Sequence, residues 1–236
     1  MSVNVVLQTA RSGSKSVPNK NITMVGGKPL FMHPLSKAMQ SNLVDYYFIS
    51  TDCEFIKSYS SAYSELNIID RPNELCMDDS SHHDVMIHAI CEIENRIKKK
   101  IDNVVVLLGN SPGADSESID VCLNMINNNT KIDSIQTVSK FNMFNPYRSF
   151  KINHDSGFLN NVVEVPDDSN DKNFAGDIMF FNGSFFMCRR DIIMAKKGMN
   201  PFPWCGFNIY PYVEECKMEV DDVWQMEFLK KVEGKC

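Results

Sequence analysis

No stretch of this chain approaches the ~18 consecutive apolar residues of a bilayer-spanning helix, and the N-terminus lacks the basic start and cleavage site of a secretory signal. A cytoplasmic protein with no membrane partner is the expectation. A C-x-x-C pair is missing too. Cys53, Cys76, Cys91, Cys122, Cys188, Cys205, Cys216 and Cys236 are scattered, which points to reduced thiols, several of them buried, and not to a disulfide framework. Positive charge is in deficit. A net charge of −6 excludes a binder of nucleic-acid polymers that depends on broad phosphate neutralisation, so a polyanion must bind at a local basic site. Repeats and low-complexity segments are absent. With 43% hydrophobic and 23% charged residues, wholesale disorder is excluded as well.

What the chain does have is a basic, glycine- and serine-rich stretch just after its first apolar run at 3–7: Ala10-Arg11-Ser12-Gly13-Ser14-Lys15-Ser16-Val17-Pro18-Asn19-Lys20-Asn21. A short buried strand delivers the chain to a turn whose small side chains let backbone N–H groups converge on an anion. Arg11, Lys15 and Lys20 supply charge, Pro18 stiffens the exit, and Asn19 and Asn21 can bond neighbouring backbone. A solvated basic loop has a similar composition. The position after a first strand, and the partners downstream, favour a phosphate cradle.

A helix over 31–41, a strand over 45–50, a helix over 53–64 capped by Asp52, and a strand over 66–69 follow in order. This alternation predicts an α/β fold of three layers, doubly wound, with a mostly parallel sheet and helices on both faces. Asp78-Asp79-Ser80-Ser81 starts a long helix that runs to about residue 98. The most apolar strand, 104–108, enters Gly109-Asn110-Ser111-Pro112-Gly113, and a buried strand ending in small side chains is where an open α/β sheet places its ligand. Helix 117–125 and strand 133–138 come next. From 140 to 177 polar and turn residues break the rhythm, with a hairpin through 147–163. This segment reads as a small β-rich insertion, a dimer contact or a lid, within a single domain over 1–236. A strand over 180–187 with a turn at Asn182-Gly183, a short helix over 191–197, an extended segment over 210–219 and a helix over 223–232 complete the chain.

Glu219 and Asp221 alternate along an extended segment, which would put both carboxylates on one face about 7 Å apart. Such a pair suits Mg²⁺, which binds through one or two carboxylates plus phosphates; an acidic edge running on into Asp222 is the alternative. Among His82, His83, Asp84 and His88, only Asp84 and His88 share a helix face, so a hydrogen bond between them is expected instead of a metal cluster. Tyr147, Phe150, Phe180, Phe181, Phe185 and Phe186 read as core or subunit contact.

Taken in order, A-R-S-G-S-K-x-x-P-N-K-N, Gly27-Lys28-Pro29-Leu30, Ser50-Thr51-Asp52, Arg71-Pro72, the stretch from Asp78 to Asp84, Asn182-Gly183-Ser184 and Glu219-Val220-Asp221 resemble the CTP-dependent cytidylyltransferases that activate acidic sugars, the acylneuraminate cytidylyltransferase (CMP-sialic acid synthetase) family. The resemblance covers nearly the whole chain. It implies a Rossmann-like fold of the nucleotide-diphospho-sugar transferase type. It also implies transfer of CMP from CTP to an acidic acceptor, a sialic-acid-like 2-keto sugar acid, with release of pyrophosphate. By the same resemblance Arg11 and Lys20 grip the triphosphate and act in catalysis. Ala10, Ser12, Gly13, Ser14, Lys15 and Asn21 complete the nucleotide cradle, Arg71, Ser80 and His82 read the base, and Glu219 with Asp221 holds Mg²⁺. The chemistry agrees, since cytidylyl transfer needs an α-phosphate in line with an attacking hydroxyl and a neutralised pyrophosphate leaving group. His82 stands where the family has a small serine-like residue, and Glu219 where it usually has aspartate.

The acceptor half departs further. Where the family follows its central strand with Gln-Pro-Thr-Ser-Pro-Leu-Arg, this chain has Gly109-Asn110-Ser111-Pro112-Gly113-Ala114-Asp115. Gly109, Asn110, Ser111 and Asn182 fall at acceptor positions, with Gly109 lacking a side chain that would contact the sugar. Lys172 takes the place of a carboxylate-binding arginine, and Arg148 that of a lysine at the reaction centre. Lysine lacks the planar fork of arginine. A small anionic acceptor is therefore expected, while a phosphonate, a phosphorylated metabolite or another nonulosonic acid stays open, as does a nucleotide-binding homologue without turnover. The attacking anomeric hydroxyl would lose its proton to a metal-activated water or to Asp221. A homodimer paired through the insertion is also expected.

Overall fold

Apolar residues that alternate along each central strand bury both faces of the sheet. In strand β1 (Asn4–Thr9) Val5 and Leu7 enter one core and Val6 the other. The computed structural model describes residues 2–14, 16–141, 145–165, 176–215 and 217–233. After β1 come the short ribbon strands β2 (Met24–Val25) and β3 (Lys28–Pro29), helix α1 (Met32–Ala38), β4 (Tyr46–Thr51), α2 (Glu54–Ser60), β5 (Leu66–Asp70), α3 (His82–Ile97), β6 (Asn103–Leu108), α4 (Ser116–Asn128) and β7 (Ser134–Ser139). The second half adds β8 (Phe150–Ile152), β9 (Leu159–Asn161), β10 (Phe180–Arg189), α5 (Arg190–Ala195), β11 (Ile209–Val213) and α6 (Val223–Glu233).

The seven-stranded sheet runs β11-β7-β10-β6-β1-β4-β5, with β10 antiparallel to both neighbours and the other pairings parallel. β6 splits its aliphatics as β1 does: Val104 and Val106 pack with Met86, Ile90 and Ile93 of α3, while Val105 and Leu107 pack with Leu35 of α1 and Ile119 and Leu123 of α4. Each such fully buried side chain contributes about 1.5–3 kcal/mol, and together they fix a three-layer arrangement with helices on both faces. Going outward from β1, the chain proceeds to β4 and β5 on one side but jumps to β6 on the other. The carboxyl ends of β1 and β6 thus flank a crevice at the point where strand order reverses, the position at which such sheets bind ligands. Among the described residues no helix is long and apolar enough to cross a membrane.

Several local expectations are corrected. Asp52 does not cap α2: the cap position is Cys53, with no side-chain bond, and the Asp52 carboxylate turns away to Ser12. Asn182-Gly183 is not a hairpin turn but a bulge inside the continuous β10, where Gly183 takes φ 74° and Asn182 Oδ1 accepts from Ser184 N. Residues 217–222 are not a strand, so the Glu219 and Asp221 pair sits on a loop. Asp84 meets Lys196 at 2.6 Å instead of His88, whose buried Nδ1 has no partner among the described residues. The expected hairpin forms in shorter form, with Phe150 opposite Asn161 and Ile152 opposite Leu159. Lys15, Lys172, Cys216 and Cys236 lie outside the described residues.

Candidate active site

The loop that leaves β1 is held from three sides. Ser12 donates its N–H to Asp52 Oδ1 at 2.8 Å and its hydroxyl to Oδ2 at 2.5 Å. Asn21 Nδ2 donates to the Arg11 carbonyl at 3.0 Å. Arg11 donates to the Cys76 carbonyl at 3.1 Å and pairs with Asp78 at 2.8 Å. Burial alone would raise the Asp52 carboxyl, but the Ser12 hydroxyl and N–H, with Arg71 nearby, outweigh it and hold it below its ordinary range. Asp52 is therefore an ionised anchor for the loop.

This loop forms one wall of a cavity of about 540 Å³, within the usual range of ligand sites. Arg11, Gly13, Ser14, Lys20 and Asn21 line that wall; Arg71, Ser80 and His82 line the cavity too, as do Gly109 and Asn110 after the end of β6. Two members of the expected cradle are placed differently. Ala10 is 2% exposed and gives its N–H to Ser50. Ser12 is engaged by Asp52. Arg71 is buried and fixed by Ser50, with Nε to the hydroxyl at 3.2 Å and Nη2 to the carbonyl at 2.7 Å. His82 Nε2 lies 3.1 Å from Thr9 Oγ1, and its ring meets Phe186 and Trp204 edge-on at 6.2 and 5.9 Å. Desolvation first, then Arg71 and His83, pushes its pKa down to about 4, so it is a neutral imidazole at physiological pH.

A loop from the far end of the chain meets this cavity. Asn110 clamps it: its carbonyl accepts from Val220 N at 2.9 Å, and its Nδ2 donates to the Val220 carbonyl at 3.3 Å and to Asp221 Oδ1 at 3.1 Å. Lys20 Nζ reaches the same Asp221 oxygen at 2.7 Å, across 201 residues of sequence. Glu219 packs directly on the β10 bulge, where a Cβ on Gly183 would fall 2.1 Å from Oε1. Burial, then the neighbouring Asp221, raises the Glu219 carboxyl above its ordinary value. Among the described residues no third His, Cys, Asp or Glu joins this pair to make a closed metal cluster. The donor set fits Mg²⁺, which takes the balance of its oxygen ligands from phosphates and water.

Two smaller spaces adjoin the carboxylates. One, of about 120 Å³, is enclosed by His82, Phe185, Phe186, Phe202, Trp204 and Glu219. The other, of about 300 Å³, lies between β10 and α6 beside both Glu219 and Asp221. The expected acceptor residues divide between roles. Gly109 lines the nucleotide-sized cavity, and its missing side chain has a packing cause: a Cβ there would meet Ala10 Cβ at 2.7 Å. Ser111 is fully buried beneath the site and does not face an acceptor. Asn182 forms part of the cleft wall, but its amide is taken by Ser139, Glu214 and Ser184. Arg148 is exposed on the insertion, away from the lining of these three spaces. Asn110 alone of this group bridges cavity and carboxylates.

The family profile described as cytidylyltransferase matches residues 5–233. The chain belongs to the cytidylyltransferase family. It is 31% identical over 152 residues to a Helicobacter pylori pseudaminic acid cytidylyltransferase and UDP-2,4-diacetamido-2,4,6-trideoxy-beta-L-altropyranose hydrolase, covering 63% of this chain and 28% of the relative. It is 28% identical over 138 residues to an Escherichia coli N-acylneuraminate cytidylyltransferase, covering 58% of this chain and 32% of the relative. The chain thus spans about a third or less of the length of these relatives. A solved CMP:2-keto-3-deoxy-manno-octonic acid synthetase in complex with CTP superposes with a TM-score of 0.73 over 99% of both chains at 17% identity, which establishes the Rossmann-like nucleotidyltransferase fold.

Sequence reading did not reveal how the family's motifs join here. The Ser50-Thr51-Asp52 motif proves to be the anchor of the β1 loop, Asp78 the partner of Arg11, and Asn110 the clamp on the loop that carries Glu219 and Asp221. For Asp52 the only available signal was a carboxylate at the end of a strand parallel to β1.

Proposed function

We propose that this chain transfers CMP from CTP to a 2-keto sugar acid and releases pyrophosphate. The observation that carries the reading is the meeting of a basic loop and a two-carboxylate arm at one strand end, joined by Lys20 and Asp221 at 2.7 Å. In this reading the 540 Å³ cavity takes CTP, with Arg71, Ser80 and His82 at the base and the β1 loop at the phosphates. Arg11 and Lys20 exchange their carboxylate partners for phosphate oxygens and neutralise charge that develops on the leaving pyrophosphate. Mg²⁺ would be held by Glu219 and Asp221 and, when bound, supplies charge neutralisation at the phosphates and a more acidic bound water. The acceptor hydroxyl attacks the α-phosphorus from the side of the smaller clefts, the bond from the α-phosphorus to the pyrophosphate oxygen breaks, and the hydroxyl proton passes to Asp221 or to a water. The names of the relatives specify pseudaminic acid and N-acylneuraminate, which supports an acceptor of the sugar-acid class. A different anionic acceptor, such as a phosphonate, is the second reading, favoured by the absence of any cation from Gly109 to Asp115.

Pyrophosphate release with CTP and Mg²⁺, measured across N-acetylneuraminate, pseudaminic acid, 2-keto-3-deoxy-manno-octonic acid and a set of phosphonates, tests the reading. Release with one of the sugar acids supports it; release with a phosphonate alone selects the second reading; silence across the panel refutes both. In the same reading a second copy pairs through the insertion hairpin, where Phe158 is 74% and Leu159 62% exposed. A single-chain mass by light scattering would refute that pairing.

A further inference from the structure

Where the chain departs from the family's acceptor loop, Asn110 directs its polar groups to the segment that carries Glu219 and Asp221. Val220, fully buried against Val17, Val25, Leu30 and Met226, anchors that segment, and the two carboxylates on either side of it line the cleft of about 300 Å³. Its backbone is fixed from two directions. The Asn110 carbonyl accepts from Val220 N at 2.9 Å, and Gln225 Oε1 accepts from Asp221 N at 2.6 Å and from Asp222 N at 2.7 Å. The freedom that remains is rotation of the two acidic side chains. Asn110 limits that as well: Nδ2 donates to Asp221 Oδ1 at 3.1 Å, and the same side chain bonds the Glu219 carboxylate. One neutral amide thus serves both carboxylates.

Lys20 is the other partner of Asp221, and the two partners differ in kind. Both meet Oδ1, so that Oδ2 takes no hydrogen bond among the described residues and keeps its lone pairs for a cation. An ammonium at 2.7 Å cancels the carboxylate's charge and repels a divalent ion from it. An amide orients the carboxylate and leaves the charge intact, which is what a hydrogen-bond partner behind a metal ligand must do. Lys20 also has a reason to leave, since a triphosphate in the cavity that it lines competes for its ammonium. A neutral amide has none.

We infer that Asn110 is the positioning residue that holds Glu219 and Asp221 in the arrangement that takes a divalent cation, once CTP has drawn Lys20 away from Asp221. This rests on the reading of the 540 Å³ cavity as the CTP site. It gives the departure at Asn110 a physical sense: the residue acts on the carboxylates and not on the acceptor.

The test uses the full chain with Mn²⁺ as the probe, because electron spin resonance counts free and bound Mn²⁺ without turnover. With equimolar CTP and no acceptor, N110A should weaken Mn²⁺ binding about 10- to 100-fold, the scale of losing a hydrogen bond to a metal-ligating carboxylate. N110Q, which keeps the amide, should recover part of the loss. CTP binding in EDTA should stay within about twofold, and in turnover the Mg²⁺ half-saturation should rise while kcat at saturating Mg²⁺ stays within about threefold. K20M removes a competing charge and should tighten Mn²⁺ binding to the nucleotide-free chain. Unchanged Mn²⁺ affinity in N110A would overturn the assignment. So would an equal loss of CTP binding in EDTA, which would make Asn110 a prop of the fold, or weaker Mn²⁺ binding in K20M, which would make the ammonium the organiser. Weakened Mn²⁺ binding in N110A, in a chain that turns over no sugar acid, would keep the positioning role and refute the transfer reaction. Turnover with metal affinities indifferent to N110A would keep the reaction and refute the role.

Discussion

Replacing Gly109 by alanine probes how closely the ends of β1 and β6 must approach to make the site. The added Cβ would lie 2.7 Å from Ala10 Cβ and 3.4 Å from both Ala10 Cα and Asn21 Cγ. Carbon atoms rest at about 3.5–4.0 Å, so roughly 1 Å of separation is needed. Ala10 Cβ cannot rotate away, because it is fixed to a backbone whose N–H is bonded to Ser50 at 3.1 Å, while Gly109 N donates to Thr9 at 3.0 Å. Relief must come from moving the strand ends apart. Overpacking of this kind costs about 1–3 kcal/mol. At about 2–4 °C per kcal/mol for a chain of this size, the expected loss in Tm is about 2–12 °C. The shift falls on the residue before Arg11 and on Asn21, so CTP affinity should drop as well. Differential scanning fluorimetry and calorimetric titration with CTP measure the two effects, with G13A as the control for Tm alone, since a Cβ on Gly13 meets no protein atom within 4 Å but faces the cavity. If G109A keeps its Tm within about 1 °C and its CTP Kd within about twofold, the close approach is not what shapes the site.

K20A should lower kcat/KM by on the order of 10² or more, as for other preorganised charge stabilisers, and a wild-type rate would remove Lys20 from the phosphate site. Burial and Asp221 raise the Glu219 carboxyl above its unfolded value, so its ionised form is disfavoured in the fold and stability falls as pH rises through that range. E219Q should accordingly raise the metal-free Tm more at pH 8 than at pH 5, while abolishing the extra stability that Mg²⁺ gives the CTP complex; a lower Tm at both pH values would contradict the burial argument. His82, pushed down to about 4 from an unfolded value near 6.5, leaves the unfolded chain binding more protons between those limits. Stability should fall on acidification from about pH 6.5 towards 4, and H82N should flatten that part of the Tm profile.

The alternation of apolar strands and helices was legible because a parallel sheet buried on both faces demands continuous apolar runs, as 104–108 shows, and because helix starts carry local polar signals. The nucleotide loop was legible because its glycine, serine and basic residues are contiguous. What the sequence could not show were bonds across the sheet. Asp52 sits at the right place to cap α2, and only the parallel pairing of β1 with β4 reveals that its carboxylate is nearer Ser12. An Asn-Gly pair signals a tight turn, yet here the flanking residues continue in one strand, since β6 and β7 pair with β10 on either side and Gly183 opens a seat for Glu219. The Asp84–Lys196 pair, 112 residues apart, displaced an expected i,i+4 contact for the same reason.

The most direct test of the central claim follows two labels of CTP in one reaction with Mg²⁺ and a 2-keto sugar acid. The account predicts that ³²P at the α position appears in the acceptor conjugate while ³²P at the γ position appears in pyrophosphate, in equal amounts. Transfer of the γ label to the acceptor, or retention of both labels in CTP with every sugar acid, would contradict it.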